Sequence, residues 1–506
     1  MDRPQTARRL LGLALGFGVL ADVLFDGPAF GINLVIAVVA LLAAAGAVRR
    51  SDAPFHRADA WLPVSAVVLA LFVALRSDPV LVAFDSVIVL GLTGASIAAI
   101  GGLAVTRLTT NGLLDLFAWL TLALLEGALK PVRLARQELG MPRAAGEAVG
   151  RSGPVLRGLA LATPLVLAFV VLFASADLIF GRWLETALSI DVDLAGLPGR
   201  VLFVGVASWS VAGVLWLGAT ITPPLEPRSL GAAAASADVV ARGRPGSLGA
   251  VEAVVVLVTV DVLFAVFVVL QVAYLFGGAD TRAAAGLTFS DYARRGFFEL
   301  LVASALAGST VAGLEATVRE RPRAYVVAAL ALVGLTLFVL VSAVARMRLY
   351  QEAYGWTELR FYALAGIGFV GLGLVASAVL LVRGRSDRLP HALIGAFLVV
   401  LLGVNVVGPR GFVADRNIDR ALHPERIPAD GERSPDYAYL NSLGDDAIPA
   451  IVDVLPALPV SVRTQVAIGL DARRVQLATD PALVAPQAWN LARERARRAL
   501  ERRPGR

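Results

Sequence analysis

Five ionisable residues stand inside long apolar runs: Asp22, Asp85, Asp177, Asp261 and Glu299, with Asn33, Gln271 and Asn405 in similar positions. A carboxylate at the centre of a membrane-spanning helix costs about 3 kcal/mol on insertion scales, so such groups face a protein interior, a cavity or a partner charge. Asp22, Asp85, Asp177 and Glu299 fall towards the ends of their runs, where reach to interfacial water would satisfy them. Asp261 is far from both ends of its run, so it either pairs with a polar group on a neighbouring helix or titrates along an ion path. A second set is cationic and aromatic. Tyr292, Arg294, Arg295, Arg346, Arg348, Tyr350 and Arg360 gather at the ends of the runs that follow Asp261. Asp261, Tyr292, Arg294, Arg295, Glu299, Arg346, Arg348, Tyr350 and Arg360 therefore form a candidate binding crevice, with Asp261 as its floor and the others as its rim. Its arginines would collect an anionic headgroup or solute, or anchor the helix ends to lipid phosphate.

Much familiar chemistry is excluded. There is no Cys, which removes disulfides, thiolate metal sites and thiol nucleophiles. The three His residues, His56, His391 and His423, are scattered, and the single Lys, Lys130, follows a leucine, so no phosphate-binding Gly-Lys loop exists. No metal site, cofactor or catalytic residue set is expected. Asp191-Val192-Asp193 matches an Asp-x-Asp pattern, but two acids in a polar loop are ordinary.

The elements that must position these residues are helices in lipid. Of 506 residues 57% are apolar and only 17% charged, and the runs are continuous rather than alternating, which excludes an outer-membrane barrel. Spans are expected at 8–25, 30–48, 59–76, 81–105, 155–180, 197–220, 250–276, 296–314, 325–344, 361–382 and 391–408. Gly112–Leu129 is also long enough to span, but counting it as a cytoplasmic surface helix puts 22 Lys and Arg on the N-terminal side of the membrane against nine in the opposite loops. The positive-inside rule then favours about eleven spans in a bacterial cytoplasmic membrane, with the N-terminus cytoplasmic and the C-terminus outside. Asp115, Trp119 and Glu126 form one polar stripe on Gly112–Leu129, as an interfacial helix requires. The basic stretch Lys130–Arg157 beyond it would face anionic lipid headgroups or form a solvated loop. Arg3, Arg8 and Arg9 precede an apolar run as in a signal peptide, but no small-residue cleavage site follows, so an uncleaved first helix is expected.

Composition changes after Gly408. Pro409–Arg506 holds 15 Arg and 13 acids and no run long enough to span. The fold class expected is thus all-α: a polytopic transmembrane helix bundle at 1–408, with its cytoplasmic interfacial segment at 112–157, and a small helical extramembrane domain at 409–506. In the tail, Ser434-Pro435 should begin a helix that Gly444 stops. Asp445 or Asp446 should cap Ala447–Leu455, and helices should follow over Ser461–Ala478 and Pro486–Arg503. Within the bundle, Gly12-x-x-x-Gly16, Gly373-x-x-x-Ser377 and the glycines at 366, 368 and 371 allow close helix approach.

Several motifs taken in order resemble a known family. They are Tyr274-Leu275-Phe276-Gly277-Gly278, then Tyr292 through Leu300, then Arg346-Met347-Arg348-Leu349-Tyr350, Tyr354-Gly355-Trp356-Thr357 and Leu359-Arg360. In the tail come Asn417-Ile418-Asp419, Asp436-Tyr437-Ala438-Tyr439-Leu440 and Asp446-Ala447-Ile448-Pro449-Ala450. Together they resemble the bacterial multipass membrane family catalogued as domain of unknown function 4173. The tail departs from that pattern at Ala421-Leu422-His423, where a second Asn is expected. The resemblance implies a polytopic bacterial membrane protein and supplies no activity.

Three functions fit these residues, with a transporter or flippase favoured and a sensor or assembly factor as the alternative. A transporter or flippase would use the arginines for an anionic group and Asp261 to couple an ion, although no internal repeat is visible. A sensor or envelope assembly factor would act through the exterior tail. An envelope enzyme would need Glu299 as base, yet no nucleophile is recognisable. Nothing suggests nucleic-acid binding, and the expected partner is the lipid bilayer.

Overall fold

The computed structural model describes residues 3–49, 54–108, 250–276, 297–318, 321–428, 431–432, 436–458 and 460–503. These form helices and turns, with no strand among the described residues. The expected spans at 155–180 and 197–220, the surface helix at 112–129 and the basic stretch 130–157 lie outside them.

Helices occupy the other expected runs. They are α1 (Arg3–Phe25), α2 (Ile32–Val48), α3 (Trp61–Leu75), α4 (Pro79–Ile100), α5 (Ala250–Phe276), α6 (Phe297–Thr317), α7 (Arg323–Tyr354), α8 (Glu358–Val382) and α9 (Leu389–Val407). Among the described residues, five segments are long and apolar enough to cross a membrane: Arg57–Leu75, Pro79–Ile100, Arg323–Tyr354, Glu358–Val382 and Ser386–Val407. Gly12–Phe25, Ile32–Val48 and Ala253–Val262 are shorter apolar stretches. After Gly408 come α10 (Pro409–Leu422), α11 (Tyr437–Ser442), α12 (Ile448–Val454), α13 (Val460–Thr479), α14 (Pro481–Val484) and α15 (Leu491–Arg502).

The chain divides into two compact units that interleave along the sequence. One takes Met1–Ala74, Phe84–Glu226 and Pro481–Trp489; the other takes Leu75–Ala83, Pro227–Asp480 and Asn490–Arg506. In the first, Leu10 and Ala14 of α1 pack with Ala44, Ala45 and Val48 of α2 and with Ile97 of α4. Asn33 is fully buried and local in purpose. Its amide donates to the Leu24 and Ala29 carbonyls while its oxygen accepts from the Gly31 and Leu34 N–H groups, which satisfies the α1–α2 turn. The same turn is held by a tail segment, since Ala29 N donates to Ala482 O and Ile32 N to Trp489 O. The Gly12 and Gly16 pair expected to make a close approach meets nothing within 4 Å among the described residues.

The second unit is organised around α7, whose buried face (Tyr325, Leu332, Val339, Ala343, Met347) packs on Leu257 of α5, Leu300 and Val311 of α6 and Ile367 and Leu374 of α8. Large apolar residues such as Val327, Val341 and Leu359 remain exposed, as on a surface solvated by lipid. At Gly373 a methyl group would stand 3.0 Å from Leu393, so this glycine does set the approach of α9 to α8.

Candidate functional site

Among the described residues, two turns of the second unit gather polar groups: the α6–α7 turn, where Arg321 pairs with the buried Glu315 at 3.1 Å, and, more extensively, the α7–α8 turn. Gly355 ends α7 at φ 74°, ψ −175°, a conformation glycine alone adopts readily, and a Cβ there would stand 2.8 Å from Asn417 Oδ1. Thr357 then caps α8 by accepting from Arg360 N. Asn417, on α10, clasps the turn from the other side: its oxygen accepts from Trp356 N at 2.7 Å and its amide donates to Trp356 O at 2.8 Å. The Trp356 ring meets Phe412 edge-on at 4.9 Å.

Beside this turn, charges from distant parts of the sequence form a buried layer. Asp78 is 1% exposed. Its Oδ1 caps α4 by accepting from Val80 N and Leu81 N, and its Oδ2 accepts from the Tyr362 hydroxyl at 2.8 Å. Arg410 Nε, on α10, lies 3.6 Å from Asp78 and 2.8 Å from Glu358 Oε1 at the start of α8. Glu358 N donates to the Tyr439 hydroxyl. Asp446 Oδ2 accepts from both Ser77 N and Ser77 Oγ at 2.8 Å, with Arg76 Nη1 3.8 Å from its other oxygen. Burial raises the Asp446 pKa, against the Ser77 hydrogen bonds and Arg76, which lower it. Arg76 also donates to the Asn405 and Val406 carbonyls, closing the C-terminus of α9, and a side chain at Gly408 would run into its guanidinium. Asn490 caps α15 and donates to Arg76 O. A second buried pair stands behind the layer, where Arg473 holds Asp445 with two bonds of 2.7 Å.

One expectation about the tail is corrected here, and another, the helix start at Ser434-Pro435, lies outside the described residues. Neither Asp445 nor Asp446 caps α12; its N-cap is Ala447, which has no side-chain bond. Both carboxylates serve long-range pairs, which outcompete a local cap once the groups are removed from water. The cap of α11 is Asp436, which accepts from Tyr439 N, and Gly444 at φ 71° follows the helix.

Between the turn and α10 lies a cavity of about 210 Å³, lined among others by Tyr354, Trp356, Arg420, Glu432, Asp436 and Tyr439. Arg420 donates to the Glu352, Ala353 and Glu432 carbonyls and so fastens the segment at Glu432 to the end of α7. Burial lowers the Arg420 pKa, with Glu432 opposing that shift.

Of the candidate crevice, the structure brings together Tyr350 and Arg360, whose guanidinium carbon lies 4.0 Å from the ring centre. Arg360 also donates to the Tyr354 and Gly355 carbonyls, so it caps α7. Arg346 lies half-buried and Arg348 exposed on α7. Glu299 lies in the first turn of α6; Tyr292, Arg294 and Arg295, like Asp177, fall outside the described residues. Asp261 sits mid-way along α5, and its Oδ1 is buried with no hydrogen-bond partner among the described residues. Sequence reasoning missed Asp78, Glu358, Tyr362 and Arg410. The available signal was a run of polar residues, Arg76-Ser77-Asp78, squeezed between two apolar helices.

Several helices long and apolar enough to cross a membrane, with charged groups gathered at helix ends, define an integral membrane protein. A family model described as Domain of unknown function (DUF4153) matches residues 63–454, and the chain belongs to that family. This agrees with the expectation of a membrane family of unknown function, although the family model that matches is not that of domain of unknown function 4173. The chain has no significant match among curated proteins or solved structures.

Proposed function

We propose that the protein is a sensor or assembly factor of the bacterial cytoplasmic membrane, acting through tail helices α10–α13 and α15, which form an extracytoplasmic layer coupled to its membrane helices. The observation that carries this reading is the Asp78–Arg410–Glu358 cluster with Asp446 on Ser77. It ties the α3–α4 turn, the start of α8, α10 and α12 through buried charge. A partner bound to the tail would thereby act directly on helix ends, because buried ionic contacts have few alternative arrangements.

A second reading, a transporter or flippase with an outward-facing crevice, is favoured by Asp261, whose buried carboxylate oxygen lacks a partner among the described residues. One experiment separates the two. In a deletion strain with a scorable envelope phenotype, chains lacking Pro409–Arg506 and chains carrying Asp261→Asn are compared at equal membrane abundance. The sensor reading expects the truncation to fail and Asp261→Asn to complement. Failure of Asp261→Asn in a protein that still inserts would replace it with transport.

A further inference from the structure

We propose that the cavity at the α7–α8 turn binds a small zwitterion, an aminoalkyl phosphate, either free or as a phospholipid headgroup. The inference deepens the sensor reading, since it assigns a ligand class to the layer on which that reading rests.

The first argument is size. Drug-sized ligands occupy clefts of about 300–1,000 Å³, and about 210 Å³ is headgroup scale.

The second is the set of polar groups left unspent. Arg420 uses Nε and Nη2 on backbone carbonyls, which leaves Nη1 without a hydrogen bond among the described residues. That nitrogen faces the turn, 3.6 Å from where a Cβ of Gly355 would stand. Asp436 spends Oδ1 on the cap of α11 and keeps Oδ2. Glu432 is hydrogen-bonded through its backbone, its N–H donating to Ala353 O and its carbonyl accepting from Arg420; its carboxylate is attracted by the Arg420 guanidinium but makes no side-chain hydrogen bond among the described residues. Charge of both signs is therefore available in one cavity. A simple anion would meet the two carboxylates and a simple cation the guanidinium, whereas a zwitterion pairs with both.

The third argument is the wall. Tyr354, Trp356 and Tyr439 are aromatic residues of the lining, and an ammonium over such a ring is further stabilised. A primary ammonium also offers N–H donors to Glu432 and Asp436, which a trimethylammonium lacks.

The test uses the full chain in phosphatidylglycerol nanodiscs, titrated calorimetrically with phosphoethanolamine, phosphocholine, ethanolamine and inorganic phosphate, and in parallel the chain's retention of phosphatidylethanolamine from mixed-lipid nanodiscs. Glu432→Gln with Asp436→Asn is the informative variant, since Asn is as good an N-cap as Asp and Glu432 makes no side-chain hydrogen bond among the described residues that folding would lose. Phosphoethanolamine should bind at least tenfold more tightly than the other three probes, and the double variant should remove at least tenfold of that affinity. Retention of the lipid without binding of the free probe, with the same sensitivity to the variant, identifies the headgroup as the source. Equal affinity for phosphocholine, binding that the double variant leaves unchanged, or neither binding nor retention overturns the inference. The variants leave Asp78, Arg410 and Asp446 intact. The complementation assay thus continues to judge the sensor reading when the ligand inference fails.

Discussion

Replacing Arg410 with Met isolates what the buried charged layer contributes. Asp78 is 1% exposed, and Arg410 Nε stands 3.6 Å from it. At an effective dielectric of about 20, Coulomb's law gives roughly 4–5 kcal/mol of attraction at that distance. The second partner, Glu358, has a side chain 23% exposed, so water compensates it partly. Removing one member of a buried pair costs about 3–5 kcal/mol because the other charge is left without compensation. Asp78 retains three neutral donors, from Val80, Leu81 and Tyr362, which places the expected loss near the lower end, about 3 kcal/mol. The assay is resistance of the tail to protease in detergent, read as the free energy of local opening. The partner substitution Asp78→Asn completes a double-mutant cycle. Asn still accepts at the α4 cap, and in the double variant no buried charge is orphaned, so the pair should recover at least half of the Arg410→Met loss. A loss below about 1 kcal/mol, or additive single effects, refutes the claim that this pair couples the tail to the helices.

Arg473→Ala should cost about 3 kcal/mol by the same protease assay, since it removes both hydrogen bonds to Asp445, which is 3% exposed and keeps the attraction of Arg493. Gly355→Ala should cost about 1–3 kcal/mol and loosen the Asn417 clasp, measured by thermal unfolding. Asp446 has its pKa raised in the fold, so its contribution to stability grows as pH falls from neutral towards the ordinary carboxylate range and is lost as pH rises; the wild type should gain stability on acidification relative to Asp446→Asn, and parallel pH profiles would contradict this. Because the chain has no Cys, Ala472→Cys on the exposed side of α13 gives a single thiol, which a membrane-impermeant maleimide should label in intact spheroplasts if the tail is outside.

Among the described residues, helices were legible where the apolar run was long, because a lipid-solvated backbone has to satisfy its hydrogen bonds within one helix. Nine expected runs coincide with α1–α9. The charged layer was hidden for a different reason. Arg76 and Asp446, or Asp78 and Arg410, are hundreds of residues apart, and each taken alone reads as an ordinary loop charge or helix cap. Asp446 reads in sequence as a local cap, whereas in the fold it accepts from Ser77. The intramembrane carboxylates drew attention instead, and of the residues named with them Asn33 serves the backbone of its own turn. The aromatic and arginine motifs were visible as motifs, and Tyr350 with Arg360 does form a pair.

The position of the charged layer at helix ends follows from what apolar helices cannot do. In lipid the tails are as apolar as leucine, so burial against a neighbouring helix gains little over burial in the bilayer, and apolar surface alone specifies register weakly. Helix ends differ, since each exposes unsatisfied N–H or C=O groups that must find partners. Here Arg76 serves the C-terminus of α9, Arg360 and Arg420 that of α7, and Asp78 the N-terminus of α4. The same side chains then meet charges brought by α8, α10 and α12. A slip of one helix by a single turn, about 5.4 Å, would strand several of these groups at once. The layer therefore selects one register among packings that the apolar surfaces leave close in energy. On the proposed sensor reading, a bound partner or headgroup would bias the bundle at this layer.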